Sequence, residues 1–198
     1  MIHPHTELRF ISSEIGHGVV ATRLIPRGTI TWVRDDLDQV FSAEEFNRMP
    51  GIYSQVLDKY TFVASDGRRV LCWDQGRYVN HSCRATCLST GYDFEIAVRD
   101  ILPGEELTDD YGTLNLEADF ECKCGFPDCR RIIHPDDPLR YADIWDAIVV
   151  AVFPMIDKVE QPLWQLIEEK REVELALAGV VPIASCRLNY FAAQECLV

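Results

Sequence analysis

The chain has 198 residues, 47% hydrophobic and 26% charged, with a formal net charge of −13. That size allows one large domain, or a domain with an appendage, around a real core, and the balance is that of a soluble globular protein. The acidic excess argues against direct binding to nucleic-acid phosphates, and the longest apolar run, residues 147–156, is too short to span a bilayer and contains Pro154.

Residues 1–9 form a polar lead-in and not a basic-then-apolar leader. The expected protein is therefore intracellular and soluble, cytoplasmic or nuclear, with no membrane association. In chain order, β-like runs fall at Leu8 to Ile11, Val19 to Thr22, Thr29 to Val33, Tyr60 to Val63, Arg69 to Trp73 and Phe94 to Val98. Turn signals such as Pro26-Arg27-Gly28, Asp66-Gly67 and Pro103-Gly104 separate several of them, which predicts several small sheets. Ser42-Ala43-Glu44-Glu45 has the form of a capping box and predicts a short helix to about Met49. After Arg131 the period changes. Asp137-Pro138 reads as an N-cap and first-turn proline for a helix carrying Leu139, Ala142, Trp145, Ile148, Val149 and Val152 on one face. A second helix is predicted from Pro162 to Ala178, with Gly179 as its cap.

Eight cysteines in an intracellular chain point to metal or buried thiols before disulfides. Cys72, Cys87, Cys186 and Cys196 read as small buried hydrophobes. Cys122, Cys124 and Cys129 place three thiolates within a short segment, and a closed structural zinc site needs a fourth ligand from elsewhere. Cys83, Cys87 and His134 are candidates, and so is an unmetallated cluster. Between Gly91 and Glu121 ten acidic residues face one cation, Arg99. This run is either a solvated face or a field that attracts cationic peptides.

Four motifs follow one another in a fixed order: Gly16-His17-Gly18; Arg77-Tyr78-Val79-Asn80-His81-Ser82-Cys83; Glu106 to Gly112, with Asp109-Asp110-Tyr111; and the Cys122, Cys124, Cys129 cluster. Glycines at 16 and 18 let backbone approach a ligand closely, and Asn80 offers both donor and acceptor. Together the motifs resemble a minimal SET-domain protein-lysine methyltransferase with a post-SET zinc tail and no pre-SET region, over roughly residues 8–131.

The resemblance implies a mainly β fold with α: several small sheets around a threaded, pseudoknot-like segment, a zinc-bearing tail and a C-terminal helical pair. It divides the chain into a SET domain (8–116), a post-SET zinc segment (117–133) and a helical extension (134–198). It implies S-adenosylmethionine bound by Gly16, His17, Gly18, Arg77, Tyr78, Asn80 and His81, the last mainly through its backbone. Tyr60 and Asp109 would line the lysine channel, Tyr111 would supply the catalytic hydroxyl, and Cys83, Cys122, Cys124 and Cys129 would hold zinc. The implied partner is a basic protein or peptide, such as a histone tail, added as a strand to a sheet edge. The C-terminal helices could serve a homodimer.

Three departures stand out. Arg84-Ala85-Thr86 replaces the proline-containing turn after the Asn-His-Ser-Cys motif, and Thr31 to Asp36 lacks the usual Glu-aromatic-x-Gly-Glu pattern. Asp109 replaces an aromatic residue two before the motif tyrosine, where a carboxylate either turns outward or sits beside the amine. A non-catalytic binding module that keeps fold and zinc is the alternative function.

Overall fold

The structure, a computed structural model, describes residues 1–192, so Cys196 and the end of the expected extension lie outside it. The strands in chain order are β1 (Thr6–Ser12), β2 (Gly16–Ala21), β3 (Ile30–Val33), β4 (Gln39–Phe41), β5 (Thr61–Val63), β6 (Arg69–Leu71), β7 (Asn80–His81), β8 (Cys87–Ser89), β9 (Phe94–Ala97), β10 (Glu106–Asp109), β11 (Phe120–Glu121) and β12 (Ile132–Ile133). Helices α1 (Ala43–Asn47) and α2 (Ser54–Tyr60) lie between β4 and β5, and α3 (Asp137–Val152) and α4 (Lys170–Leu177) follow β12.

Four small sheets result: β1-β2-β10-β7, β3-β9-β8, β4-β6-β5 and the β11-β12 hairpin. The architecture is thus mainly β with α, as expected for a SET-type fold. All six β-like runs overlap strands along most of their length. The run expected from Tyr60 starts one residue later, because Tyr60 closes α2 and the strand starts at Thr61, whose hydroxyl donates to the Leu57 carbonyl at 2.6 Å. The capping box forms as expected: Ser42 Oγ accepts from the Glu45 N–H, and the Glu45 carboxylate accepts from the Ser42 N–H.

The C-terminal helices need two corrections. Asp137 is the first residue of α3 and not its cap; Asp136 holds the cap position without a side-chain bond, because the Asp137 carboxylate is drawn to Arg130. The helix expected over Pro162 to Ala178 is a single 3-10 turn, Trp164–Leu166, an extended Ile167, and then α4. Burial of Leu163 and Ile167 in the core outweighs local propensity there. Gly179, at φ +70°, ends α4 as expected.

One core packs Ile30, Val33, Leu88, Phe94 and Ile96 of the β3-β9-β8 sheet against Ala142, Trp145, Val149 and Val152 of α3 and against Val173 and Ala176 of α4. Leu139 and Ile148, expected on the same stripe of α3, are exposed. A second core joins Val19, Ala21, Ile25, Cys87, Ala97, Ile101 and Leu107 beneath the four-stranded sheet. Cys72, Cys87 and Cys186 are buried thiols, as expected of small hydrophobes. Among the described residues, no helix is long and apolar enough to cross a membrane.

Candidate active site and cysteine cluster

Parallel pairing of β7 with β10 brings the second and third motifs together, with Asn80 opposite Thr108 and His81 opposite Asp109. The Ser82 N–H donates to the Asp109 carbonyl at 3.0 Å, extending the junction. Asp110 then turns the chain, its carboxylate accepting from the Gly112 N–H at 2.9 Å, and Tyr111 points back to β7. The Tyr111 N–H donates to His81 Nδ1 at 3.1 Å, and its hydroxyl donates to the Val79 carbonyl at 2.8 Å. A phenol whose hydrogen is spent on a carbonyl keeps its oxygen lone pairs free. Burial, reinforced by Asp109 and Glu95, pushes the phenol well above its ordinary value, so Tyr111 stays protonated. Burial also lowers the His81 imidazole to about 4, leaving it a neutral acceptor.

On one side of this junction lie Gly16, His17 and Gly18, at the start of β2. Gly16 has φ +88° with open space around it. Asn80 Nδ2 donates to the His17 carbonyl at 3.0 Å and to Glu106 Oε1 at 2.6 Å. Both amide hydrogens are therefore used inside the protein, and only Oδ1 of Asn80 remains to act. A Cβ on Gly18 would collide with Glu106 Oε1 and with Asn80 Nδ2. Gly18→Ala should therefore push the Glu106 carboxylate aside and break the Asn80–Glu106 bond, costing about 1 kcal/mol, read as a lowered unfolding midpoint in urea. His17 is exposed, its ring between Phe10 (5.8 Å) and Tyr78 (6.4 Å).

On the other side opens a cavity of about 460 Å3. Tyr60, Arg77, Val79, Asp109, Tyr111 and Phe120 are among its lining residues, whereas Gly16, His17, Gly18, Tyr78, Asn80 and His81 are not. The seven expected cofactor residues thus divide, with Arg77 facing the cavity. Tyr78 bridges the two sides, 5.1 Å from the Tyr60 ring. Asp109 points inward and is 2% exposed, which answers the question its position raised. Ser89 Oγ donates to Asp109 Oδ2 at 3.2 Å, and Thr113 Oγ1 lies 3.3 Å from the same atom. The acidic run does not form one continuous rim: Asp109 and Asp110 are buried, Glu105 pairs with Arg99, Glu117 with Arg69, and Asp119 with His134.

The sulfurs of Cys83, Cys122, Cys124 and Cys129 all lie within 4.8 Å of one another. Cys83 Sγ is 3.6 Å from Cys122 Sγ and 4.0 Å from Cys129 Sγ. A tetrahedron with Zn–S bonds of about 2.3 Å has edges of about 3.8 Å, so four thiolates here fit zinc. Backbone N–H groups of Cys124 and Arg131 point at Cys122 Sγ (3.5 Å) and Cys129 Sγ (3.3 Å), which suits thiolate acceptors. Burial raises the Cys124 thiol, but hydrogen bonds from the Phe126 and Cys83 backbone outweigh it and bring the thiol down to about 7. The other two candidate fourth ligands are engaged elsewhere: His134 Nδ1 pairs with Asp119 at 2.8 Å, and Cys87 is in the second core.

Arg130, one residue past the cluster, ties it to the rest of the molecule. Its guanidinium pairs with Asp110 and, at 3.1 Å, with Asp137, and it sits 5.0 Å from the Tyr141 ring. Trp145 Nε1 donates to the second oxygen of Asp110 at 3.2 Å. Arg130→Met should cost about 3–5 kcal/mol, because it leaves two buried carboxylates without their cation. Chemical denaturation will read that loss.

Glu95, Ser89, Thr113 and Arg130 lie outside the motifs, and Glu106 opens one without its bond to Asn80 being evident from it. Glu95 had a signal: a lone acid in the apolar strand Phe94-Glu95-Ile96-Ala97, with Phe94 and Ile96 turned to the core.

Residues 16–112 match the family model of the SET domain. The small sheets and the β7–β10 junction agree with that match, and residues 16–112 of the chain are a SET domain. It is 31% identical over 134 residues to the histone-lysine N-methyltransferase Set2 of Drosophila melanogaster, covering 61% of this chain and 6% of that protein. It is 28% identical over 137 residues to the H3 lysine-36 specific histone-lysine N-methyltransferase of Schizosaccharomyces pombe (61% and 16%) and 38% identical over 63 residues to the histone-lysine N-methyltransferase TRX1 of Oryza sativa subsp. japonica (28% and 6%). The chain therefore spans only a small part of the length of these relatives.

Proposed function

We propose that the chain transfers methyl groups from S-adenosylmethionine to lysine side chains of a basic protein, with histone tails as the first class to test. The observation that carries the reading is the place of Tyr111, whose hydroxyl is anchored on the Val79 carbonyl between the Gly18–Asn80 side and the cavity. The names of the relatives support the reaction class.

S-adenosylmethionine, when bound, supplies an electrophilic methyl on a sulfonium. Gly16 leaves open space at the start of β2, Gly18 lets the Asn80 and Glu106 side chains close against the strand, and Asn80 Oδ1 with the Glu106 carboxylate offers acceptors to the amino group of the cofactor. Tyr78 and His17 flank the same region, Arg77 faces the cavity on the other side, and His81 acts through its backbone because its ring is occupied by the Tyr111 N–H. Tyr60 and Phe120 line the cavity in which an entering lysine is desolvated, and the Tyr111 oxygen at its border orients the amine. Cys83, Cys122, Cys124 and Cys129 would hold zinc and so fix the β11-β12 hairpin beside this junction, where the Phe120 ring lies tilted against Tyr111 at 5.3 Å.

The test is transfer of labelled methyl from S-adenosylmethionine to core histones and whole-cell protein. Label on lysine is expected. No label across the panel, with the protein folded and zinc bound, would favour the non-catalytic binding module.

A further inference from the structure

The cavity contains two carboxylates that methyl transfer as described leaves without a task. Asp109 is almost wholly buried, and while its Oδ2 is bonded by Ser89, its Oδ1 is buried without any partner. Glu95, half-buried on β9, stands in register with Ser89 on β8 and faces the same cavity. Trp32, its neighbour across β3, also lines the cavity and keeps Nε1 buried and unpaired.

A carboxylate oxygen stripped of water and given no donor is costly, so the site is complete only when a hydrogen-bond donor enters. The same cavity is lined by the aromatic residues Tyr60, Tyr111 and Phe120, whose π-faces attract cations. The occupant that satisfies both features is an ammonium group at the end of a slender side chain.

We propose that Asp109 and Glu95 bind the ammonium of the entering side chain and that Asp109 takes its proton before methyl transfer. The proposal rests on the methyltransferase reading above. One N–H bond of the ammonium breaks and an O–H bond forms at Asp109 Oδ1. The nitrogen lone pair so freed makes the N–C bond, while the electron pair of the breaking C–S bond stays on sulfur. The proton on Asp109 then returns to water as the product leaves. Burial lifts Glu95 to about 7, and burial, reinforced by Glu95 and Asp110, raises Asp109 well above the usual carboxylate range. That shift narrows the gap to a lysine amine, ordinarily about 10.4, and makes the carboxylates more competent acceptors.

The test uses Asp109→Asn and Glu95→Gln, both nearly isosteric, in the full chain, with n-butylammonium as a probe that requires no turnover. Wild type should be thermally stabilised by n-butylammonium, and both variants should lose that response. With a lysine peptide, Asp109→Asn should lower kcat by about 100-fold and raise the peptide KM, with S-adenosylmethionine affinity unchanged. Wild-type response to n-butylammonium in both variants, or unchanged peptide kinetics in Asp109→Asn, would overturn the proposal. If the response depends on Asp109 but wild type methylates nothing, the ammonium site stands, and the methyltransferase reading falls together with the proton step.

Discussion

Tyr111→Phe should lower kcat by about 100- to 1000-fold, the loss typical of removing one preorganised group at a reacting centre, while S-adenosylmethionine binds nearly as before. The asymmetry follows from the geometry. The phenol oxygen borders the cavity through its bond to the Val79 carbonyl, and the groups placed to hold the cofactor, Asn80 Oδ1 and Glu106, lie across β7. Removing the hydroxyl also leaves the Val79 carbonyl without its donor, costing about 1 kcal/mol of stability, too little to unfold the chain. Calorimetric titration of S-adenosylmethionine alongside steady-state rates separates the two effects. Equal loss of both, or retained turnover, would remove Tyr111 from the reacting end.

The second large effect concerns the cysteines. Purified protein should carry one zinc per chain by elemental analysis, and Cys83→Ser should lose it. The melting temperature should then fall by roughly 10 °C or more, since structural zinc contributes several kcal/mol to folding. Three of the ligands lie on the segment around the β11-β12 hairpin and the fourth follows β7, so zinc loss frees the hairpin from the junction. Phe120 then leaves Tyr111, and S-adenosylmethionine binding and activity should both disappear on treatment with a strong chelator. A metal-free protein that melts like the wild type would show the cysteines to be buried thiols only.

The parts of this site legible in the sequence were those in which one residue type at one spacing has few uses. Cys122, Cys124 and Cys129 demanded a fourth ligand, and the structure brings Cys83 to them from 39 residues away. The Asn80 and Tyr111 motifs likewise meet. What stayed hidden depends on contacts between distant segments: the two-residue strand β7 has no periodicity of its own, and α4 begins late because Leu163 and Ile167 are pulled into the core. Asp109 could be placed at the site from its motif, but whether it faced in or out was set by Ser89 and Thr113, on elements no motif names. Glu106 was quoted as the start of a motif, yet its bond to Asn80 becomes visible only once β10 lies between β2 and β7.

The shared core of the β3-β9-β8 sheet with α3 and α4 bears on where this protein can be cut. A fragment ending at residue 133, the boundary the motifs suggest, would strip the cover from Ile30, Leu88, Phe94 and Ile96 and remove the Asp137 partner of Arg130. Such a fragment should be recovered as aggregate, whereas one ending at residue 192 should remain in solution. The helices after the cysteines are therefore inseparable from the SET domain as a folding unit, and shortening the chain to its recognisable motifs would discard about a third of its buried apolar residues.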